Sequence, residues 1–113
     1  MSDSTDKRHS PRVPCDIPME YEVEGARPQD GRITNIGTEG AFITTQETIP
    51  VGTKLILRFQ LPLSSRPIWT VCTVKWADQR TVGVEFAGLN LWEQQEIWKY
   101  YAKQSARQED PGA

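Results

Sequence analysis

The chain has 113 residues, a formal net charge of -2 and a pI of about 5.4. That fits one domain with a modest core and excludes the dominant basic face of a general nucleic-acid binder. Cys15 and Cys72 stand apart, with no C-x-x-C and a single histidine, His9, which argues against a zinc cage or a redox pair. The start lacks an apolar leader and no stretch approaches the length of a membrane span, so a cytoplasmic protein without membrane insertion is expected.

Residues 1–6 are polar and are expected to be disordered. A basic patch follows within this acidic chain: Lys7, Arg8, His9 and Arg12. Arginine offers a planar fork that pairs with phosphate or with the O6/N7 edge of guanine, and it also stacks on base faces. Pro11 pushes Ser10 towards extended geometry, so Arg8 and Arg12 act as spaced anchors rather than sharing a helix face. Four extended residues reach at most roughly 13–14 Å, enough to touch different parts of one anionic ligand.

From Ile17 to Val23 apolar and polar residues alternate, which predicts a first strand; residues 25–31, rich in Gly, Pro and Asp, predict a turn. Arg32-Ile33-Thr34 then leads into Asn35-Ile36-Gly37-Thr38-Glu39-Gly40, and residues 40–45 lead out of it, so this patch sits between strands two and three. It offers an amide side chain that can pair with a base edge, beside glycines that let backbone N–H groups approach a ligand. Residues 54–61 alternate clearly; residues 68–76 and 81–86 form a hairpin around the turn at 77–80. Trp69 and Trp76 differ by an odd number, so a regular strand puts them on opposite faces. Six short strands predict a mainly β fold, a small six-stranded antiparallel barrel.

One C-terminal helix follows, with Asn90 as N-cap, Glu93 completing a near capping box, and an end near Lys103. Leu91, Ile97, Trp98, Tyr101 and Ala102 share the stripe expected to face the barrel, with Glu93, Glu96, Lys99 and Lys103 opposite. Trp92 and Tyr100 fall off that stripe and form a candidate partner surface. Residues 104–113 are polar, with Pro111 and Gly112, and are expected to be disordered.

Taken together, Lys7 to about Tyr101 resembles the PilZ domain family, bacterial receptors for the second messenger cyclic di-GMP. The resemblance rests on an RxxxR pattern at Arg8 and Arg12 and a (D/N)xSxxG-like pattern from Asn35 to Gly40. Val74-Lys75-Trp76 and Gly83-Val84-Glu85-Phe86 ahead of the helix complete it. It implies a barrel over which an N-terminal arm, residues 7–14, folds to enclose the nucleotide, the domain as a whole covering 7–103. It further implies guanine-edge and phosphate pairing by Arg8 and Arg12, a guanine-edge reader in Asn35, and close backbone approach at Gly40. Lys7 and His9 add charge, and Trp76 is placed to stack beside the nucleotide; a barrel-core role for Trp76 is the alternative, and Gly83 is read as a bend in its strand.

Gly37 departs from the pattern, standing where the family has Ser. A lost hydroxyl contact to a buried ligand atom costs about 1–3 kcal/mol, part of which a bridging water recovers. The expected function is a single-domain cyclic di-GMP receptor and adaptor, acting as a monomer or ligand-linked dimer. Its arm orders on the nucleotide and it signals through a downstream protein, with motility, surface attachment or matrix control as the implied setting. The alternative is a PilZ-like interaction module in which nucleotide binding is weakened or lost. No catalytic constellation or cofactor is evident, the ligand being cyclic di-GMP itself. A single-strand-binding barrel is disfavoured by sparse basic and aromatic residues and by the overall charge.

Overall fold

The computed structural model describes residues 11–108; Lys7, Arg8 and His9, with the rest of the start and residues 109–113, lie outside the described residues. Among these residues six antiparallel strands, β1 (Val13–Val23), β2 (Gln29–Ile36), β3 (Gly40–Thr44), β4 (Lys54–Phe59), β5 (Ile68–Asp78) and β6 (Thr81–Phe86), precede a helix, α1 (Leu91–Gln108). The strands close into a barrel in the order β1-β2-β3-β6-β5-β4, the seam being the β1–β4 pairing from Met19 opposite Phe59 to Val23 opposite Leu55.

The alternation read from the sequence is the alternation of burial. In β4, Leu55, Leu57 and Phe59 point inward and Lys54, Ile56 and Arg58 outward; β1 does the same with Ile17, Met19 and Tyr21. Ile33, Ile36, Ile43, Leu57, Ile68 and Val74 are wholly enclosed, and α1 closes the core with Ile97. The Tyr21 hydroxyl donates to Glu47 Oε1 at 2.9 Å and accepts the Gln46 N–H at 2.7 Å, which ties the segment after β3 to the barrel.

β1 starts at Val13, not Ile17, because Val13 is buried opposite Ile36; the last two residues of the expected arm are therefore strand. The capping box forms, with the Glu93 N–H donating to Asn90 Oδ1 at 2.8 Å and the Asn90 N–H to Glu93 Oε1 at 3.0 Å. The helix continues beyond Lys103 to Gln108, so residues 104–108 are helical where a disordered tail was expected.

The inward face of α1 differs from the expected stripe. Glu93 and Ile97 are buried, Trp92, Tyr100 and Tyr101 pack against the core, and Leu91 and Trp98 are exposed. Ile97 is the wholly buried anchor, and Glu93, one turn before it on the same face, is covered with it. Trp92 and Tyr100 thus do not form an exposed pair; the Arg66 guanidinium sits 4.1 Å over the Trp92 ring.

Candidate functional site

One lateral row of paired residues organises the outer surface: Pro14 opposite Asn35, Asn35 opposite Phe42, Phe42 opposite Gly83, and Gly83 opposite Trp76. It crosses β1, β2, β3, β6 and β5. The barrel's register shifts, between Pro14 and Ile17, Ile33 and Asn35, and Val74 and Trp76, all adjoin this row. A bulge re-aims side chains and accumulates next to functional sites.

Two of these bulges have a visible result. In β5 the extra residue breaks the parity between Trp69 and Trp76, so both point outward, 60% and 46% exposed, and neither is core. In β2 the ladder is interrupted beside Asn35, and its Oδ1 accepts the Phe42 N–H at 3.1 Å in place of a backbone carbonyl. That fixes the amide: its oxygen is used by the fold and its NH2 group is the end that can donate to a ligand.

Gly83 forms the floor of an aromatic platform. Phe42 and Trp76, from the strands on either side, stack over it with centroids 5.4 Å apart and ring planes 14° from parallel. A Cβ on Gly83 would lie 2.9 Å from Phe42 Cε1 and 3.4 Å from Trp76 Cβ, so the missing side chain makes room for the stack rather than a bend. The Arg12 guanidinium lies 4.7 Å over the Phe42 ring. Arg12, Asn35, Phe42 and Trp76 are thereby brought together.

The glycines of the turn serve the chain itself. A Cβ on Gly40 would meet the Val84 carbonyl at 2.2 Å, so Gly40 permits β3 to approach β6. A Cβ on Gly37 would meet the Pro11 carbonyl at 2.2 Å and Arg12 Cγ at 3.2 Å, so Gly37 permits the root of the arm to lie on the turn. The Gly37 N–H donates to the Gly40 carbonyl at 2.9 Å. In this arrangement both glycines are required by close backbone approach within the chain. Phe42 is the site residue that sequence reading missed, although Ala41 and Ile43 as inward residues fix it as outward-facing.

Around this platform the charges are mostly paired at the surface. Lys75 reaches Glu85 at 3.6 Å, and Arg32 pairs with Asp16 next to the β1 bulge. Burial and the neighbouring Asp16 push the Cys15 thiol up to about 11, so it stays protonated at neutral pH. Among the described residues no group of His, Cys, Asp and Glu is placed to hold a metal, and no helix is long and apolar enough to cross a membrane.

The PilZ domain family matches residues 6–103, nearly the whole of the folded chain. The chain belongs to the PilZ domain family. Its fold is shared with the Bacillus subtilis inhibitor of motility MotI/DgrA, at a TM-score of 0.77 and 18% identity over 90% of this chain. The chain spans only 53% of that protein's length. The PilZ domain of CeSA from a cellulose-synthesising bacterium matches at a TM-score of 0.64 and 16% identity, covering 85% of this chain and 99% of that domain. The PilZ domain of Escherichia coli YcgR, solved with c-di-GMP, matches at 0.66 and 6% identity, covering 93% and 98%. No curated protein matches the sequence. At these identities the neighbours establish the PilZ barrel and leave the chemistry to this chain's own residues.

Proposed function

We propose that this PilZ protein is a receptor for cyclic di-GMP and transmits nucleotide binding to a partner protein. The observation that carries the reading is the placement of Arg12 over the Phe42–Trp76 stack, one strand pair from the Asn35 amide. A guanine base has a flat face that stacks on aromatic rings or on guanidinium, and an O6/N7 edge that accepts hydrogen bonds. The platform supplies the first, and Arg12 with the Asn35 NH2 group supplies donors for the second. Arg8, outside the described residues, is assigned with Arg12 to guanine-edge and phosphate pairing through the RxxxR pattern, and Lys7 adds positive charge beside it. The solved YcgR PilZ domain, which contains c-di-GMP, supports the same ligand class.

In this mechanism Arg12 moves from the Phe42 face to the ligand and the base takes its place on the platform. The exchange is favourable in magnitude, because an exposed cation–π contact contributes about 0.5–1 kcal/mol whereas base stacking contributes about 1–3 kcal/mol. Arm movement changes the surface beside the turn, which a partner can read.

The test is calorimetric titration of cyclic di-GMP into the wild-type protein and the Arg8→Ala/Arg12→Ala variant. Saturable binding by the wild type that disappears in the variant is the expected result. A folded wild type that takes up no nucleotide would overturn the receptor reading in favour of a nucleotide-free interaction module. The close seat of Pro11 on Gly37 is the observation favouring that second reading, since it gives the arm root a docked position without ligand.

A further inference from the structure

On another side of the barrel, the β4–β5 connection and α1 enclose a groove of about 480 Å³ floored by Leu61 and Tyr100. Its loop wall is a tight turn, Leu61-Pro62-Leu63-Ser64, closed by the Ser64 N–H donating to the Leu61 carbonyl at 3.0 Å. Proline second and a positive φ third is the pattern of a type II turn, whose third position favours glycine. Here that position is Leu63, at φ 70°, with its side chain 93% exposed. A leucine there is unfavourable twice over, in backbone conformation and in hydration, and it makes no return within the fold.

The opposite wall is cationic. Lys99, Lys103 and Arg107 recur at every fourth residue of α1 along the groove, and the single carboxylate among them, Glu96, is already engaged. It bonds Lys99 at 2.8 Å and the Ser64 hydroxyl at 3.1 Å, and Lys99, Ser64 and Arg66 hold its carboxyl below the usual carboxylate range against the opposing effect of burial. An apolar trough rimmed by a row of cations stands out on a protein of net charge -2.

We infer that this groove docks an acidic amphipathic segment of a partner protein, its apolar side chain seated between Leu63 and Tyr100 and its carboxylates against Lys99, Lys103 and Arg107. Charge complementarity selects the acidic partner, and the exposed leucine selects one with an apolar anchor. Tyr100 and Cys15 of β1 both pack against the core where α1 meets β1, so the groove floor adjoins the strand that continues from Arg12. The inference supplies the output surface of the receptor reading and rests on that reading only for its signalling role.

The test uses the full chain without nucleotide, so its failure is distinct from failure of the receptor reading. The probe is a fluorescein-labelled peptide repeating Glu-Leu-Leu-Glu-Glu-Leu-Ala, with a Gln-for-Glu control. Phosphatidylglycerol-containing vesicles form a separate arm. The expected result is salt-sensitive binding of the Glu peptide, with amide shift changes at Leu63, Ser64 and Tyr100. Lys99→Glu/Lys103→Glu and Leu63→Gly should each weaken it roughly tenfold or more. Leu63→Gly should meanwhile hold or raise the melting temperature, because glycine relieves the positive φ. No peptide binding, equal binding of the Gln control, or binding indifferent to these substitutions would overturn the proposal. So would a lower melting temperature for Leu63→Gly, or capture by vesicles in place of the peptide.

Discussion

Gly37 shows how one absent side chain reaches beyond the contact it seems to delete. Read as a missing serine hydroxyl, it invites the expectation that Gly37→Ser would restore affinity. The structure predicts the reverse, because a Cβ at that position would meet the Pro11 carbonyl at 2.2 Å and force the arm root off the turn. Gly37→Ser is expected to lose about 1–3 kcal/mol of stability and to bind cyclic di-GMP no more tightly than wild type, as checked by urea unfolding and calorimetry. Phe42 and Trp76 carry the second prediction at this scale. Phe42→Ala should weaken nucleotide binding by roughly ten- to a hundredfold, the range of one base–aromatic stack, with a matching loss for Trp76→Ala. Trp69→Ala, on the same strand but outside the paired row, should leave that affinity unchanged and serves as the control.

Elements, unlike bulges, are legible from single residues. Alternation in residues 54–61 located β4 because each inward residue there is a large aliphatic or aromatic group, and Asn90 with Glu93 located the start of α1 because the cap needs those two side chains at that spacing. What alternation cannot show is an extra residue. The bulge before Trp76 undoes the parity argument about the two tryptophans, and the one before Asn35 diverts its amide oxygen to the Phe42 N–H. Both arise from strand pairing, a long-range property with no local signature. The helix face departs from the expected stripe for the opposite reason: Glu93 is polar by type, yet its carboxylate is bonded within the cap and the residue is only 8% exposed, one turn from the buried Ile97. Asn90→Ala should therefore cost about 1 kcal/mol in urea unfolding and shorten α1 from its start by circular dichroism. Ile97→Ala, which removes the helix's wholly buried anchor, should cost about 2–5 kcal/mol.

For the molecule as a whole, buried thiols, with Tyr21 and Tyr100 also raised by burial, weaken the fold at alkaline pH. Burial pushes Cys72 up to about 12, and burial with Asp16 pushes Cys15 up to about 11, from an ordinary value of 9.0. Both are raised in the folded state, so the neutral thiol is the form the fold favours. The stability this contributes is whole below about pH 9 and is lost as pH rises from there towards 12. Melting temperatures measured across that window should fall with pH, and Cys72→Ala should flatten the fall while lowering the starting value through its cavity. The pairing of β4 with β1 closes the barrel without an open edge. With each strand paired to a neighbour on both sides over part of its length, no strand is left as a free edge on which a visiting chain can add itself as a further strand. The same closure denies a concentrated solution the seed for edge-to-edge fibre growth. Whatever this barrel recognises, it recognises through side chains, loops and the helix that caps it.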